Sequence, residues 1–120
     1  MIKGDAIKLD NVTYFEMNDS SVNKSKGVGI LLKYENALEH KKAIRLSSTN
    51  ILHSKHDGLQ IFSDTFQPID LRIDIHKCTL EHNQVGIFMS KMAIDSFDIQ
   101  KTKCKNNHKG MILRKIHHLK

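Results

Sequence analysis

The chain has 120 residues, of which 39% are hydrophobic and 27% are charged, and its formal net charge is +6. This composition suits one folded domain with a modest core and excludes a disordered chain. No apolar run approaches the roughly 20 residues of a membrane span, and two cysteines are too few for a disulfide framework. The start, MIKGDAIKLD, lacks the apolar stretch of a signal peptide. We therefore expect a cytoplasmic protein without membrane contact, or a piece cut from a longer chain.

One pattern recurs along the chain. Residues 73–86, IDIHKCTLEHNQVG, align without a gap on residues 97–110, FDIQKTKCKNNHKG, and the earlier copies are spaced by up to 29 residues. The apolar columns of this alignment are Met17, Leu46, Ile75, Ile99; Val22, Ile51, Leu80, Cys104; Ile7, Ile30, Leu59, Ile87, Met111; and Leu9, Leu32, Ile61, Met89, Leu113. The polar or small columns are Ser20, Thr49, Cys78, Thr102; Ser25, Ser54, Asn83, Asn107; and Ala6, Gly29, Gly58, Gly86, Gly110. The pattern indicates about five units.

Each unit contains short segments in which apolar and polar residues alternate, and this period of two is typical of strands. Polar corners rich in Asn, Ser and Gly separate the segments. One such unit cannot bury its own apolar side, whereas stacked units can, each strand pairing in parallel with its equivalent about 4.8 Å away. The sequence therefore predicts one all-β domain over residues 1–120, a parallel β-helix of about five turns. The apolar columns should point inward, and the corner Asn and Ser residues should form a ladder.

The predicted units run, in chain order, roughly over 4–26, 27–55, 56–83, 84–107 and 108–114. The second unit carries a long connection, KYENALEHKKA (33–43), in which the spacing of Tyr34 and Leu38 predicts one short helix. The third carries FSDTFQP (62–68), with the only proline. We expect this second insertion to bulge from the wall of the stack.

Residues 73–89, written I-x-I-x-x-C-x-L-x-x-N-x-x-G-I-x-M, resemble the repeat of pectin-lyase-like proteins. The resemblance covers roughly residues 4–114 and implies a right-handed, single-stranded β-helix. That superfamily includes polysaccharide lyases, glycoside hydrolases, epimerases, phage tailspikes and non-enzymatic binding domains, so the resemblance favours an architecture more than an activity. Its members usually have more turns and a capping helix at the N-terminal end, and the sequence shows neither.

An outward column is the best candidate site, because Glu16, Arg45, Asp74 and Asp98 occupy matching positions on four successive units. If the register holds, the side chains of Asp74 and Asp98 begin about 5 Å apart. The two carboxylates could hold a cation, or together with Arg45 could serve as an acid and base pair or bind a glycan. The column could equally be a charge ladder in which Arg45 neutralises its neighbours. The resemblance implies a calcium site for a lyase and clustered Asp residues for a hydrolase. Asp74, Asp98, Arg45 and at most Asp95 are in range, without a recognisable catalytic motif.

A second outward row consists of Lys8, Leu31, Gln60, Phe88 and Ile112. Its apolar members, Leu31, Phe88 and Ile112, could be covered by the connection 33–43 or could contact another chain. Both alternatives stay open.

The His, Cys and clustered basic residues show no pattern of a metal site or of a nucleic-acid site. The eight His and two Cys show no metal-ligand spacing, so we expect no metal, and Cys78 and Cys104 should be core residues. Basic residues gather in the last unit, but no aromatic side chain is interleaved with them there, so nucleic acid is an unlikely partner.

The sequence favours a non-catalytic β-helix module that presents a face to a protein or an acidic glycan, without a cofactor. The alternative is a polysaccharide lyase or glycoside hydrolase, or a fragment of one, that uses Asp74, Asp98 and Arg45; calcium is expected only for the lyase. Because a short stack exposes strand edges at both ends, we also expect a homo-oligomer or a place in a larger chain.

Overall fold

The computed structural model describes residues 4–35 and 41–118, with the backbone alone at 64–68, 115, 117 and 118. Within these ranges the chain forms strands and no helix, and so no helix that could cross a membrane. The strands are β1 (Ile7–Asp10), β2 (Tyr14–Asn18), β3 (Ser21–Asn23), β4 (Ile30–Lys33), β5 (Lys42–Ser47), β6 (Asn50–Leu52), β7 (Leu59–His76), β8 (Thr79–Glu81), β9 (Val85–Gln100), β10 (Lys103–Lys105) and β11 (Lys109–His118). The helix predicted in 33–43 falls mainly on 36–40, outside the described residues.

The strands stack in parallel as a β-solenoid with three sides, which confirms the predicted fold class. The first side contains β1, β4 and the beginnings of β7, β9 and β11. The second side contains β2, β5 and the later parts of β7 and β9. The third side is the four-stranded sheet of β3, β6, β8 and β10. Because β7, β9 and β11 run around the corner between the first two sides, those sides form one continuous seven-stranded sheet.

The strand registers reproduce the apolar columns read from the sequence. On the first side Ile7, Ile30, Leu59, Ile87 and Met111 are successive partners. The same holds for the columns that contain Met17 on the second side and Val22 on the third side. About three turns, those that begin at β4, β7 and β9, lie between neighbouring turns. The turn that begins at β9 has its second neighbour only along Val85–Ile94, where β11 pairs with it, whereas β10 pairs with β8 alone among the described strands. The predicted count of about five includes the two terminal turns.

The inward columns form a single apolar core. Ile30, Ile51, Ile75, Leu80 and Ile87 have no exposed surface, and they belong to one cluster of buried side chains. Full burial of a Leu or Ile side chain contributes about 1.5–3 kcal/mol relative to exposure. The stacked columns therefore supply the main stabilising term of the fold.

The corner between the third and first sides contains the predicted ladder. The side-chain oxygen of Asn83 accepts a hydrogen bond from the Ser54 amide at 2.9 Å, and that of Asn107 accepts one from the Asn83 amide at 2.8 Å. The Asn83 amide group donates in turn to the carbonyl of Ile51 at 3.0 Å. Each Asn thus satisfies backbone groups that the corner takes out of the sheets.

The glycines beside this ladder are required by the close approach of neighbouring turns. A Cβ added to Gly29 would lie 2.6 Å from the carbonyl oxygen of Gly58, and one added to Gly86 would lie 2.5 Å from that of Gly110. None of these four has a positive φ. Close approach of the next turn, and not left-handed backbone, therefore explains the glycines at positions 29 and 86.

Left-handed backbone occurs instead at two columns of other residues. Lys24, His53, His82 and Asn106 have φ between 54° and 59° and follow the third side. Asp19, Ser48, Lys77 and Lys101 have φ between 48° and 55° and precede it. His, Asn and Asp are enriched in this region of backbone space, whereas Lys pays a small conformational cost. The stacking of equivalent turns repeats the same corner conformation four times.

The insertion at 62–68 interrupts the pairing of β7 with β9. Phe62 pairs with Ser90 and Gln67 with Met92, so residues 63–66 lie opposite a single residue of β9, and a second shift of register lies between Ile69 and Arg72. The insertion is thus a β-bulge inside β7.

The last strand, β11, exposes apolar side chains to solvent. Met111 and Leu113 are 41% and 47% exposed, although Ile87 and Met89, their partners in β9, are fully buried. Self-association stays a prediction, and light scattering at high protein concentration tests it.

Candidate functional site

The predicted outward column is in register on the second side. Glu16 pairs with Arg45, Arg45 with Asp74, and Asp74 with Asp98. The alternation that buries Leu46 and Ile75 turns these four side chains outward. We call Glu16, Arg45, Asp74 and Asp98 the second-side ladder. The structure thus brings together the residues that the sequence analysis singled out.

The middle of the second-side ladder is an ion pair. Nε of Arg45 lies 3.8 Å from Oδ2 of Asp74, and the two side chains are 58% and 20% exposed. At that distance and exposure the attraction is worth about 0–1 kcal/mol, because solvent screens it. Arg45 therefore compensates the charge of Asp74 and still presents its guanidinium group to solvent.

Asp98 has partners that the sequence analysis did not assign to it. Nε2 of His76 lies 3.2 Å from Oδ2 of Asp98, and the Gln100 amide donates to both carboxylate oxygens at 3.2 Å. His76 and Asp74 are two residues apart in one strand, so they share the outward face. This shared face could have been read from the sequence, because residues two apart in a strand point the same way.

Asp74, His76 and Asp98 form the one group within the described ranges that has three potential metal ligands close together. One ligand atom from each residue lies within 4.8 Å of the others. Imidazole mixed with carboxylates suits a first-row transition metal better than calcium, which prefers oxygen ligands alone. The expected absence of a metal stays a prediction, and melting-temperature measurements with calcium and zinc, given in the Discussion, test it.

At the first turn, the second-side ladder ends in a hydrogen-bonded cluster of exposed groups around Glu16. The Tyr14 hydroxyl donates to Glu16, the Asn18 amide donates to Glu16 at 2.9 Å, and the Ser47 hydroxyl donates to Asn18 at 2.6 Å. The bond from Tyr14, with a smaller one from Asn18, lowers the pKa of Glu16. The same bond to the carboxylate raises the pKa of Tyr14. The cluster holds Glu16 ionised and Tyr14 neutral at neutral pH.

Two depressions flank the second-side ladder. One, of about 110 Å³, is lined by Glu16, Asn18, Arg45, Leu46, Ser47, Asp74 and His76. The other, of about 380 Å³, contains Tyr14, Asp70, Arg72 and Asp95 in its wall. Asp95 therefore belongs to the neighbouring depression rather than to the second-side ladder. Both are surface features, so neither excludes water from the carboxylates.

The outward row of the first side is also in register. Lys8, Leu31, Gln60, Phe88 and Ile112 are successive partners. Leu31, Phe88 and Ile112 are half-buried, and the Arg114 guanidinium lies 5.9 Å from the centre of the Phe88 ring. Whether another chain covers this row stays a prediction.

The two cysteines lie on the inward columns. Cys78 is buried, Cys104 is half-buried, and both are free thiols. Burial raises the pKa of each thiol, so both are protonated and poorly nucleophilic at neutral pH.

Comparisons of the chain with protein-family models, with curated proteins and with solved structures each find no match. The strand pairing alone defines the structural class, which is a parallel β-solenoid with a polar ladder along one side.

Proposed function

We propose that the protein is a non-catalytic β-solenoid module that binds a glycan along the second side. The observation that carries this proposal is the second-side ladder itself, which aligns charged side chains on successive turns. The resemblance of the repeat to pectin-lyase-like proteins supports the proposal, because that superfamily includes binding domains as well as carbohydrate-active enzymes.

The chemistry of the second side matches that of a sugar chain. Sugar hydroxyls both donate and accept hydrogen bonds, and the side offers carboxylate acceptors at Asp74 and Asp98 beside donors at Arg45, His76 and Gln100. These groups repeat about every 4.8 Å along the stack. A ligand made of repeating polar units can therefore contact polar groups on consecutive turns.

Two further features favour an acidic glycan in particular. Arg45 and Arg72 are exposed on this side, and a guanidinium group pairs well with a carboxylate of the ligand. Tyr14, 52% exposed, presents an aromatic ring on which a sugar ring can pack. The side thus offers charge, hydrogen bonds and one apolar platform.

The partners of the carboxylates favour binding over hydrolysis. One oxygen of Asp74 and one of Asp98 lie within 4.8 Å of one another, which is too close for an inverting hydrolase (about 6.5–9.5 Å) and near the separation in a retaining one (about 5–5.5 Å). Arg45 already neutralises Asp74, and His76 and Gln100 engage Asp98.

A protein partner would use a different surface, the first-side row of Leu31, Phe88 and Ile112. These side chains are only partly exposed, and Arg114 lies over Phe88. The second side offers more accessible polar groups, which favours the glycan.

Binding of acidic oligosaccharides such as oligogalacturonate and oligoalginate, measured by calorimetry, tests the proposal. Arg45→Gln and Tyr14→Ala should each weaken binding about tenfold, the loss of about 1.4 kcal/mol of contact energy. Lys103→Gln, a matched loss of one charge on the third side, should leave affinity unchanged. Absence of binding to both classes contradicts the proposal. Turnover of either polymer that disappears in Asp74→Asn establishes the lyase or hydrolase alternative.

A further inference from the structure

The corner between the third and first sides carries a concentration of basic side chains. It consists of residues 24–29, 53–58, 82–86 and 106–110, which we call the basic corner. Its cationic or titratable members are Lys24, Lys26, His53, Lys55, His56, His82, His108 and Lys109. Asp57 is the single acidic residue within these segments, and burial raises the pKa of its carboxyl. The basic corner lies opposite the second side, so it is separate from the second-side ladder.

The part of the basic corner that belongs to the first two turns forms a depression. Lys24, Ser25, Lys26, His53 and Lys55 line a volume of about 360 Å³. Among the described residues, none forms an ion pair with Lys24, Lys26 or Lys55. The three lysines therefore line one hollow without an ion pair to a described carboxylate. The Asp5 carboxylate, which accepts a hydrogen bond from the Val28 amide at 2.8 Å, also lies at this corner.

Two histidines stack at the edge of this depression. The ring centres of His53 and His82 are 4.8 Å apart, and their planes differ by 7°. Both residues have left-handed backbone, with φ of 56° and 59°. The His53 backbone amide donates to the Glu81 carbonyl at 3.0 Å, and this hydrogen bond holds the two histidines one turn apart. Nε2 of His82 lies 3.6 Å from Oε2 of Glu81, the single carboxylate among the described residues within ion-pair distance of the two rings.

We infer that the basic corner binds an acidic polysaccharide, and that the stacked pair of His53 and His82 makes this binding stronger as the pH falls. An imidazole gains its charge between about pH 8 and pH 5. Two charged rings in a stack repel one another and the nearby Lys24, Lys26 and Lys55. A bound chain of carboxylate or sulfate groups removes that repulsion, so protonation and binding reinforce each other.

The occupant is a glycan rather than a nucleic acid. The basic corner contains no Phe, Tyr or Trp on which bases could stack. Its columns repeat about every 4.8 Å along the stack, which suits a linear polymer with charges at regular intervals. The inference goes beyond the proposed function, because it concerns a different surface and depends on charge.

The test measures binding of heparin oligosaccharide to the full chain by calorimetry at about pH 5.5 and about pH 7.5, with circular dichroism at both values to confirm folding. We expect binding at both, about tenfold tighter at the lower pH because two charges are added near the ligand. His53→Asn with His82→Asn should remove most of this pH dependence. Asn fits the left-handed backbone there, since Asn106 occupies the same column.

Lys26→Gln with Lys55→Gln should weaken binding about tenfold at both pH values. The matched control is Lys8→Gln with Lys103→Gln, which removes the same charge from exposed positions on other sides. Equal weakening in this control overturns the inference, because net charge alone would then explain binding. An unchanged pH dependence in the Asn variant, no binding of heparin, or tighter binding of a single-stranded oligonucleotide also overturns it. Arg45→Gln should not affect heparin binding, which separates this result from the proposed function.

Discussion

The middle turns and the last strand contain the same pattern of residues, yet their surroundings differ. Ile87 and Met89 in β9 have no exposed surface, whereas Met111 and Leu113, their partners in β11, are 41% and 47% exposed. An inward residue is stabilising only when a turn lies on each side of it. In a solenoid, stability therefore belongs to the contacts between turns more than to any single turn.

The largest expected difference between the two regions comes from a buried charge. Leu80→Asp places a carboxylate in a fully buried column without a partner, and it should cost more than about 4 kcal/mol and unfold the domain. Leu113→Asp makes the same change at a half-exposed position and should cost less than about 1 kcal/mol. Urea denaturation followed by circular dichroism measures both. Similar costs would contradict the idea that the last turn is uncovered.

The glycine column gives a smaller and more local difference. Gly86→Ala places a methyl group 2.5 Å from the carbonyl oxygen of Gly110 and should cost about 1–3 kcal/mol. Gly110→Ala has no contact closer than 4.0 Å and should be neutral or slightly stabilising. Thermal denaturation of the two variants checks this. A neutral Gly86→Ala would show that neighbouring turns separate easily.

Tyr34 extends the comparison to a polar group in the core. Its side chain is fully buried, and its hydroxyl has no hydrogen-bond partner among the described residues. Tyr34→Phe should therefore raise the free energy of unfolding by about 1 kcal/mol at pH 7.

Burial also gives Tyr34 a pH dependence, because it raises the pKa of the phenol above its ordinary value of 10.0. The unfolded chain then loses this proton first, so stability present below about pH 10 declines as the pH rises further. In Tyr34→Phe this part of the decline should be absent. A denaturation series from neutral to alkaline pH measures this, and equal slopes for wild type and Tyr34→Phe would contradict the prediction.

The second-side ladder should give the smallest effects. Asp74→Asn and Asp98→Asn each relieve repulsion between stacked carboxylates, and should change stability by less than about 1 kcal/mol. Arg45→Ala should be mildly destabilising.

Calcium should not raise the melting temperature. A rise with calcium that is lost in Asp74→Asn would favour the lyase alternative, and a rise with zinc that is lost in both Asn variants would show that the Asp74, His76 and Asp98 cluster binds metal.

Much of the architecture could be predicted because the alternation and the repeat point to one fold. The Ile7 and Val22 columns are inward as expected, and the second-side ladder follows from the same parity. These features depend only on which neighbours lie two residues or one turn away.

The features that the sequence analysis missed depend on geometry between turns. His76 lies beside Asp98 because two strands pair, and neither residue is close to the other in sequence. The left-handed backbone of Lys24 gives no local signal, since a Lys rarely adopts it. The insertion at 62–68 could not be placed without knowing where its pairing with β9 breaks and resumes.

The exposed edge of β11 also bears on how copies of the chain can meet. A parallel stack has two unlike ends, with β1 at one and β11 at the other. Contact between β11 of one copy and β1 of the next is heterologous, and it leaves the outer edge of each copy free. Such contacts do not close into a ring unless the rotation between copies allows it. Growth by this route therefore produces open filaments rather than closed dimers.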